Sequence, residues 1–288
     1  MKGIVLAGGS GKRLYPITQS ISKQLLLIYD KPLIYYSIST LMLANIREIL
    51  IIVSPLHLES FQRLLGNGRK FGLNIVYEVQ PVPRGIADAF IVGEKFVKSD
   101  SVCLILGDNI FYGQGLGGTL EKFTNPTGAN IFAYKVSDPK AYGVVELDIQ
   151  GQVISLEEKP HKPRSNWAIT GLYFYNNSVI EKSKNLSPSF RGELEITDIN
   201  SRFLAENNIQ VTSLERGTAW FDAGTFESIN MASNFIKAIE ERQGFKIACL
   251  EEIAYKKKWI SDIELANSLN EYAPSPYSDY IESLLKKI

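Results

Sequence analysis

Short apolar runs alternate with amphipathic stretches through the first 110 residues. Ile4 to Ala7 is apolar and ends at Gly8-Gly9, the pattern of a buried strand running into a turn. Helical spacing follows from Leu33 to Ala44, then a second buried strand from Ile49 to Val53. Ser60 to Leu65 reads as helix, Asn74 to Val79 as a third strand, Ile86 to Phe96 as helix and Val102 to Leu106 as a fourth strand. Such alternation predicts an α/β fold, a mostly parallel, Rossmann-like sheet covered by helices on both faces. The pattern changes after that. Ala129–Val136, Tyr142–Asp148, Gln152–Glu157 and Ala168–Tyr175 are β-rich and closely spaced, which predicts antiparallel strands. Phe226 to Arg242 carries a helical apolar stripe that Gly244 is placed to stop, and the tail from Lys246 reads as short helices broken by Pro274 and Pro276.

At 288 residues and 45% hydrophobic, the chain can bury one large core, with room for a small appendage. Its 31 Lys and Arg balance 31 Asp and Glu, so no global field favours nucleic acid or an anionic membrane, and neither is an expected partner. Phosphate must be bound locally. Cys103, inside an apolar run, and Cys249 read as reduced thiols, and no apolar stretch reaches the roughly 18 residues that span a bilayer. A cytoplasmic location is expected.

The sharpest local signal is Gly8-Gly9-Ser10-Gly11-Lys12-Arg13-Leu14, directly after the first strand. Glycines there let backbone N–H groups approach phosphate oxygens, and Lys12 and Arg13 add positive charge. A Walker A loop requires Gly where Leu6 stands and Ser or Thr where Arg13 stands; the dinucleotide fingerprint requires Gly or Ala at Leu14. Both fail, which excludes a P-loop kinase and a Rossmann oxidoreductase. Asp108, in Leu106-Gly107-Asp108-Asn109, falls at the carboxyl end of the fourth strand, where open α/β sheets place ligands, and suits Mg²⁺. Asp222 sits in a Gly-flanked turn ahead of a helix, and by itself reads as a helix-start residue.

Taken with Ser22-Lys23-Gln24-Leu25-Leu26 and Asp30-Lys31-Pro32-Leu33, the glycine loop resembles the signature of the sugar-phosphate nucleotidylyltransferase family, in the detail of its thymidylyltransferase branch. The resemblance runs in order from residue 3 to about 260. It implies a nucleotidyltransferase domain over 1–240, with a nucleotide-binding portion at about 1–110 and a β-rich sugar-binding portion at about 111–225. A helical tail over 241–288 would then contribute to an oligomer, a homotetramer by resemblance. Gln80-Pro81-Val82-Pro83-Arg84-Gly85 resembles the base-recognition segment, implying that Gln80 and Gly85 contact the pyrimidine beside Pro83. Leu6, Gly8, Gly9, Gly11, Gln24 and Asp108 complete the implied nucleotide site. Tyr142-Gly143, Glu158-Lys159, Thr170-Gly171-Leu172-Tyr173, Arg191, Leu106 and Asn109 match the sugar-phosphate side, and the aspartate pair Asp108 and Asp222 is implied to hold Mg²⁺. Three positions depart from the pattern: Lys12 replaces a usual Thr, Leu27 a usual Pro and Asp88 a usual Gln.

The implied reaction joins dTMP from dTTP to α-D-glucose 1-phosphate, releasing pyrophosphate, as the first step of dTDP-deoxysugar synthesis of the dTDP-rhamnose type. A sugar phosphate is already an anionic nucleophile, so the chemistry needs positioning and charge stabilisation and no general base. Arg13 and Lys23 are then expected on the triphosphate and Lys159 and Arg191 on the sugar phosphate. His57 and His161 read as incidental. Two alternatives stay open: a uridylyltransferase on the same sugar phosphate, because one methyl separates the bases, and a catalytically idle sugar-nucleotide sensor. Trp220, Tyr255 and Trp259 read as buried aromatics or as subunit contacts.

Overall fold

Three strands from the first half of the chain, Lys2–Ala7, Glu48–Val53 and Val102–Leu106, pair in parallel and are largely buried on both faces. The computed structural model describes residues 1–286; the last two residues of the expected helical tail lie outside the described residues. In chain order the strands are β1 (Lys2–Ala7), β2 (Leu27–Ile28), β3 (Lys31–Pro32), β4 (Glu48–Val53), β5 (Asn74–Val79), β6 (Val102–Leu106) and β7 (Asn109–Tyr112). The second half adds β8 (Ala129–Lys135), β9 (Gly143–Leu147), β10 (Val153–Glu158), β11 (Trp167–Tyr175), β12 (Ile209–Ser213) and β13 (Ala219–Asp222). Nine of them form one sheet along the path β10-β9-β11-β6-β1-β4-β5, with β8 joining β11 to β12.

Within β4, Ile49, Ile51 and Val53 enter one buried cluster with Ile34, Ile38 and Leu41 of the helix Leu33–Leu43. Leu50 and Ile52 enter another on the opposite face, with Phe90 and Phe203. Alternate side chains of one strand thus feed two cores, which is why the run is continuously apolar. The pairs β6–β1, β1–β4, β4–β5 and β8–β12 are parallel, whereas β11 pairs antiparallel with β6, β8 and β9, and β9 with β10. The sheet is therefore mixed, parallel through β6, β1, β4 and β5, and antiparallel where β11 carries it into the middle of the chain.

Two expectations are corrected and a third is sharpened. The helix expected over 86–96 is two pieces, Asp88–Val92 and Glu94–Val97, interrupted at Gly93. The tail is broken where expected, between the helices Asp262–Leu269 and Pro276–Leu285, and Pro276 opens the second, where its missing N–H costs nothing. Asp222 is no helix-start residue but the last residue of β13; Thr225 caps the helix Phe226–Gln243 through a reciprocal bond with Ser228, and Gly244, at φ 67°, ends it.

That helix is tied to the chain's first third by a buried ionic cluster. Lys31 is ion-paired with Asp30 and, at 2.8 Å, with Glu240. Lys246 reaches Asp30 at 2.5 Å and Glu240 at 2.9 Å, and the Ile247 amide donates to Glu240 at 2.8 Å. Burial works against ionisation of Asp30, yet the two lysines outweigh it and hold its pKa below the usual carboxylate value. A carboxylate whose folded pKa is lowered contributes stability that is present above the unfolded value, about pH 4, and is lost as pH falls through the folded value. We expect Asp30→Asn to unfold at a lower temperature at pH 7, by roughly 2–4 °C for a loss of about 1 kcal/mol. The deficit should close below about pH 4 in a melting series across pH. A deficit that is unchanged down to pH 2 would show that the Asp30 charge is not what the lysines stabilise.

Candidate active site

The carboxyl ends of β1 and β6 open on the same edge of the sheet, because the two strands pair in parallel with Leu6 opposite Leu106. The residues that follow them, Gly8-Gly9 and Gly107-Asp108, therefore leave the sheet on that edge. Gly107 has no room for a side chain: a Cβ would lie 2.9 Å from the Leu6 carbonyl oxygen and 2.9 Å from Gln24 Cγ. Lys23, on the short 3₁₀ turn Lys23–Leu25, forms an ion pair with Asp108. The Asp108 carboxylate also accepts from Asn109 Nδ2 at 2.9 Å. Burial opposes its ionisation, but Lys23 beside it and the Asn109 bond prevail and its pKa lies below the usual value.

A two-stranded ribbon brings up the second aspartate. β13 runs antiparallel to β7 with Asp222 opposite Asn109, and the Ala223 amide donates to the Asp108 carbonyl at 2.9 Å. Residues more than 110 positions apart thus sit side by side, and both aspartates line one cavity. Tyr142 Oη donates to Asp222 Oδ1 at 2.9 Å. Burial raises the Asp222 pKa; the Tyr142 bond opposes this, the Asp108 charge adds to it, and Arg13 counteracts it. One site therefore holds a carboxylate kept anionic by a lysine and a second that gains from any further positive charge.

Among the described residues no group of three or more His, Cys, Asp or Glu side chains encloses a cation site. The aspartate pair nevertheless fits Mg²⁺, which takes one or two protein carboxylates and completes its shell with phosphate oxygens and water. The raised pKa of Asp222 agrees with such a site, since a cation would relieve the repulsion from Asp108.

Two cavities flank the Lys23–Asp108 pair. The first brings together Arg13, Leu106, Asp108, Asn109, Tyr142, Gly143, Glu158, Lys159, Gly171, Tyr173 and Asp222 from the residues expected at the site. The second brings together Gly8, Gly9, Lys23, Gln80 and Pro83. Six expected residues line neither cavity. Leu6 stays within β1. Gly11, at φ 59°, shapes the loop, its carbonyl accepting from Thr18 Oγ1 at 2.9 Å. Gln24 is buried and accepts from Ser22 at 2.7 Å. Gly85 packs against the backbone of Leu194. Thr170 is turned away, because Ile169, Gly171 and Tyr173 of the same strand line the cavity and side chains alternate across a sheet; its fully buried hydroxyl has no partner among the described residues. Arg191, expected on the sugar phosphate, is ion-paired with carboxylates: Glu193 at 2.5 Å, Glu195 at 3.1 Å and Glu158 at 3.7 Å.

Several lining residues escaped the sequence reading. Trp220 lies in the first cavity, its indole N–H donating to Asn109 Oδ1 at 2.6 Å, while the Gly171 amide donates to the same oxygen at 3.0 Å. Thr197 donates to Glu158 at 2.6 Å in the same cavity. His57, read as incidental, lines the second cavity with Ser54 and Leu56, and burial lowers its pKa. The only signal for Trp220 was its position two residues before Asp222, which places both on one face of a strand once that segment is known to be extended.

A family model described as nucleotidyl transferase matches residues 2–239. The chain is 53% identical to a glucose-1-phosphate thymidylyltransferase of Neisseria meningitidis over 288 residues, covering 100% of both chains. It is 50% identical over 287 residues to the enzyme of that name from Mycobacterium tuberculosis, again covering 100% of both. Among solved structures, one described as a glucose-1-phosphate thymidylyltransferase from Bacillus anthracis, in complex with a sucrose, superposes with a TM-score of 0.76 at 41% identity. That match covers 82% of this chain and 94% of the other. A UDP-glucose pyrophosphorylase complexed with UDP-glucose shares the fold, with a TM-score of 0.73 at 24% identity over 84% of this chain and 99% of that one. The chain belongs to the nucleotidyl transferase family, with full-length relatives named glucose-1-phosphate thymidylyltransferase.

Proposed function

We propose that the chain transfers dTMP from dTTP to α-D-glucose 1-phosphate, giving dTDP-glucose and pyrophosphate. The observation that carries this reading is the Lys23–Asp108 pair standing between two cavities, with Asp222 brought up beside Asp108. A reaction between two polyanions needs that layout: one cavity for each substrate, and positive charge where their phosphates meet.

The triphosphate lies with its base in the cavity of Gly8, Gly9, Gln80 and Pro83, and the sugar phosphate occupies the cavity of Tyr142, Glu158 and Lys159. A phosphate oxygen of the sugar phosphate attacks the α-phosphorus in line with the departing pyrophosphate. Lys23 screens the α-phosphate, and Arg13 with the loop amides holds the β- and γ-phosphates. Lys159, whose backbone sits at φ 44°, projects from the end of β10 toward the sugar phosphate. Mg²⁺ held by Asp108 and Asp222 would supply charge neutralisation across the phosphates. Assembly as a homotetramer and a cytoplasmic location belong to the same reading and rest on the resemblance. So does the division into a domain over 1–240 and a tail.

The test is pyrophosphate release by the purified protein with Mg²⁺ and glucose 1-phosphate, comparing dTTP, UTP, ATP and GTP. Release with dTTP is expected and release with the purines is not. Release with UTP alone would make the chain a uridylyltransferase. Nucleotide binding without release from any triphosphate would make it a sensor.

A further inference from the structure

Gln80 lines the nucleotide cavity, yet its amide is not free to turn. Gln80 is 3% exposed, and its backbone is fixed by a bond from its amide N to the Val53 carbonyl at 2.8 Å. Its side-chain Nε2 donates to Asp88 Oδ2 at 2.6 Å. Asp88, the first residue of the helix Asp88–Val92 and 1% exposed, uses its other oxygen to accept from Arg84 Nη2 at 2.6 Å. A carboxylate bonded to a guanidinium offers only acceptors, so the group facing it across a hydrogen bond must be the NH₂ end of the amide. The carbonyl end is then turned the other way. It lies over Gly8, where a Cβ would meet Oε1 at 3.0 Å, and Gly8 and Gln80 line the same cavity.

An unrestrained amide reads two opposite patterns by rotating half a turn, accepting from a ring N–H in one pose and donating to a ring nitrogen in the other. Here the second pose would set a carbonyl against the Asp88 carboxylate and strand a buried acceptor. Given the nucleotide reading above, on which this inference rests, we propose that Asp88, clamped by Arg84, is a positioning residue for base specificity. It locks Gln80 with its carbonyl toward the base, so that the cavity selects pyrimidines whose N3 carries a proton, thymine and uracil, over cytosine, whose N3 is an acceptor. The thymine-specific methyl plays no role in this selection.

The experiment compares the parent, Asp88→Asn and Arg84→Gln with dTTP, UTP and dCTP. It reads steady-state pyrophosphate release with glucose 1-phosphate, and calorimetric binding of dTTP and dCTP without the sugar phosphate. In Asp88→Asn the introduced amide is isosteric with the carboxylate and can itself turn to donate to Gln80, which frees both poses. For this variant we expect KM for dTTP to rise about tenfold with kcat nearly held, and the preference for dTTP over dCTP to fall about tenfold. UTP should follow dTTP. Arg84 is more than half exposed, so Arg84→Gln threatens the fold less and should move the same preference in the same direction by a smaller factor. An unchanged dTTP-to-dCTP preference in Asp88→Asn, with or without a fall in melting temperature, would overturn the proposal and leave Asp88 a structural residue. So would a parent that binds dCTP as tightly as dTTP. A parent that turns over no substrate pair would overturn the functional reading alone, since the binding arm still decides the role of Asp88.

Discussion

Asp108→Asn is expected to lower the rate of pyrophosphate release by about 10²–10³-fold, the scale seen when one preorganised electrostatic group is removed from a reacting centre. The substitution keeps the size of the side chain and its bond to Asn109 but removes the charge that Lys23 faces. Two consequences follow from the geometry. Lys23, whose side chain is 11% exposed, loses its carboxylate, which should destabilise the fold by about 1–3 kcal/mol. Base binding should survive, because Gln80 and Pro83 line the other cavity and do not touch Asp108. The check is a pair of measurements on one preparation, turnover with dTTP and glucose 1-phosphate and calorimetric binding of dTTP. Lost turnover with retained binding places Asp108 at the reacting centre; retained turnover removes it from there.

The ends of β1 and β6 were legible in the sequence because their apolar runs stop at Gly8 and at Gly107-Asp108, where the chain turns over the sheet edge. Asp108 and the Gly8-Gly9 turn could be placed on one edge for that reason alone. The partnership of Asp108 with Asp222 could not be read locally. It depends on the β7–β13 register, which sets Asp222 opposite Asn109 from the far end of the chain, and a four-residue strand flanked by glycine looks like a turn when taken alone. Thr170 and Arg191 stand outside the cavity walls for other physical reasons. Thr170 lies on the wrong side of β11's alternation, and Arg191 carries three carboxylates within 4 Å that a linear reading of Arg-Gly-Glu-Leu-Glu does not reveal as one cluster. Asp88 shows the converse. Its departure from the family pattern was visible as a single letter, but its meaning needed the positions of Gln80 and Arg84 around it.

Gly85→Ala should lower kcat/KM by about 100-fold and raise KM for both substrates, although Gly85 lines neither cavity. Its φ of 108° lies in the left-handed region that side chains avoid, and an added Cβ would fall 2.5 Å from the Leu194 nitrogen and 2.9 Å from its carbonyl carbon. Leu194 cannot yield by a side-chain rotation, because its backbone is held on either side of Gly85: its amide donates to the Arg84 carbonyl at 2.7 Å, and its carbonyl accepts from the Ala87 amide at 3.2 Å. Any relief must therefore push these chain segments away from each other. One carries Gln80 and Pro83 of the nucleotide cavity, and the other leads into Ile196 and Thr197 of the sugar-side cavity. A displacement of about 1 Å at a substrate-positioning wall is enough for a loss of this size. Strain of about 1–3 kcal/mol should also appear as a lower melting temperature. Steady-state kinetics with each substrate varied in turn separates the possibilities. A rise in KM for dTTP alone would show that the two walls move independently, whereas a rise for both shows that the Gly85–Leu194 contact sets the spacing between the nucleotide and the sugar phosphate.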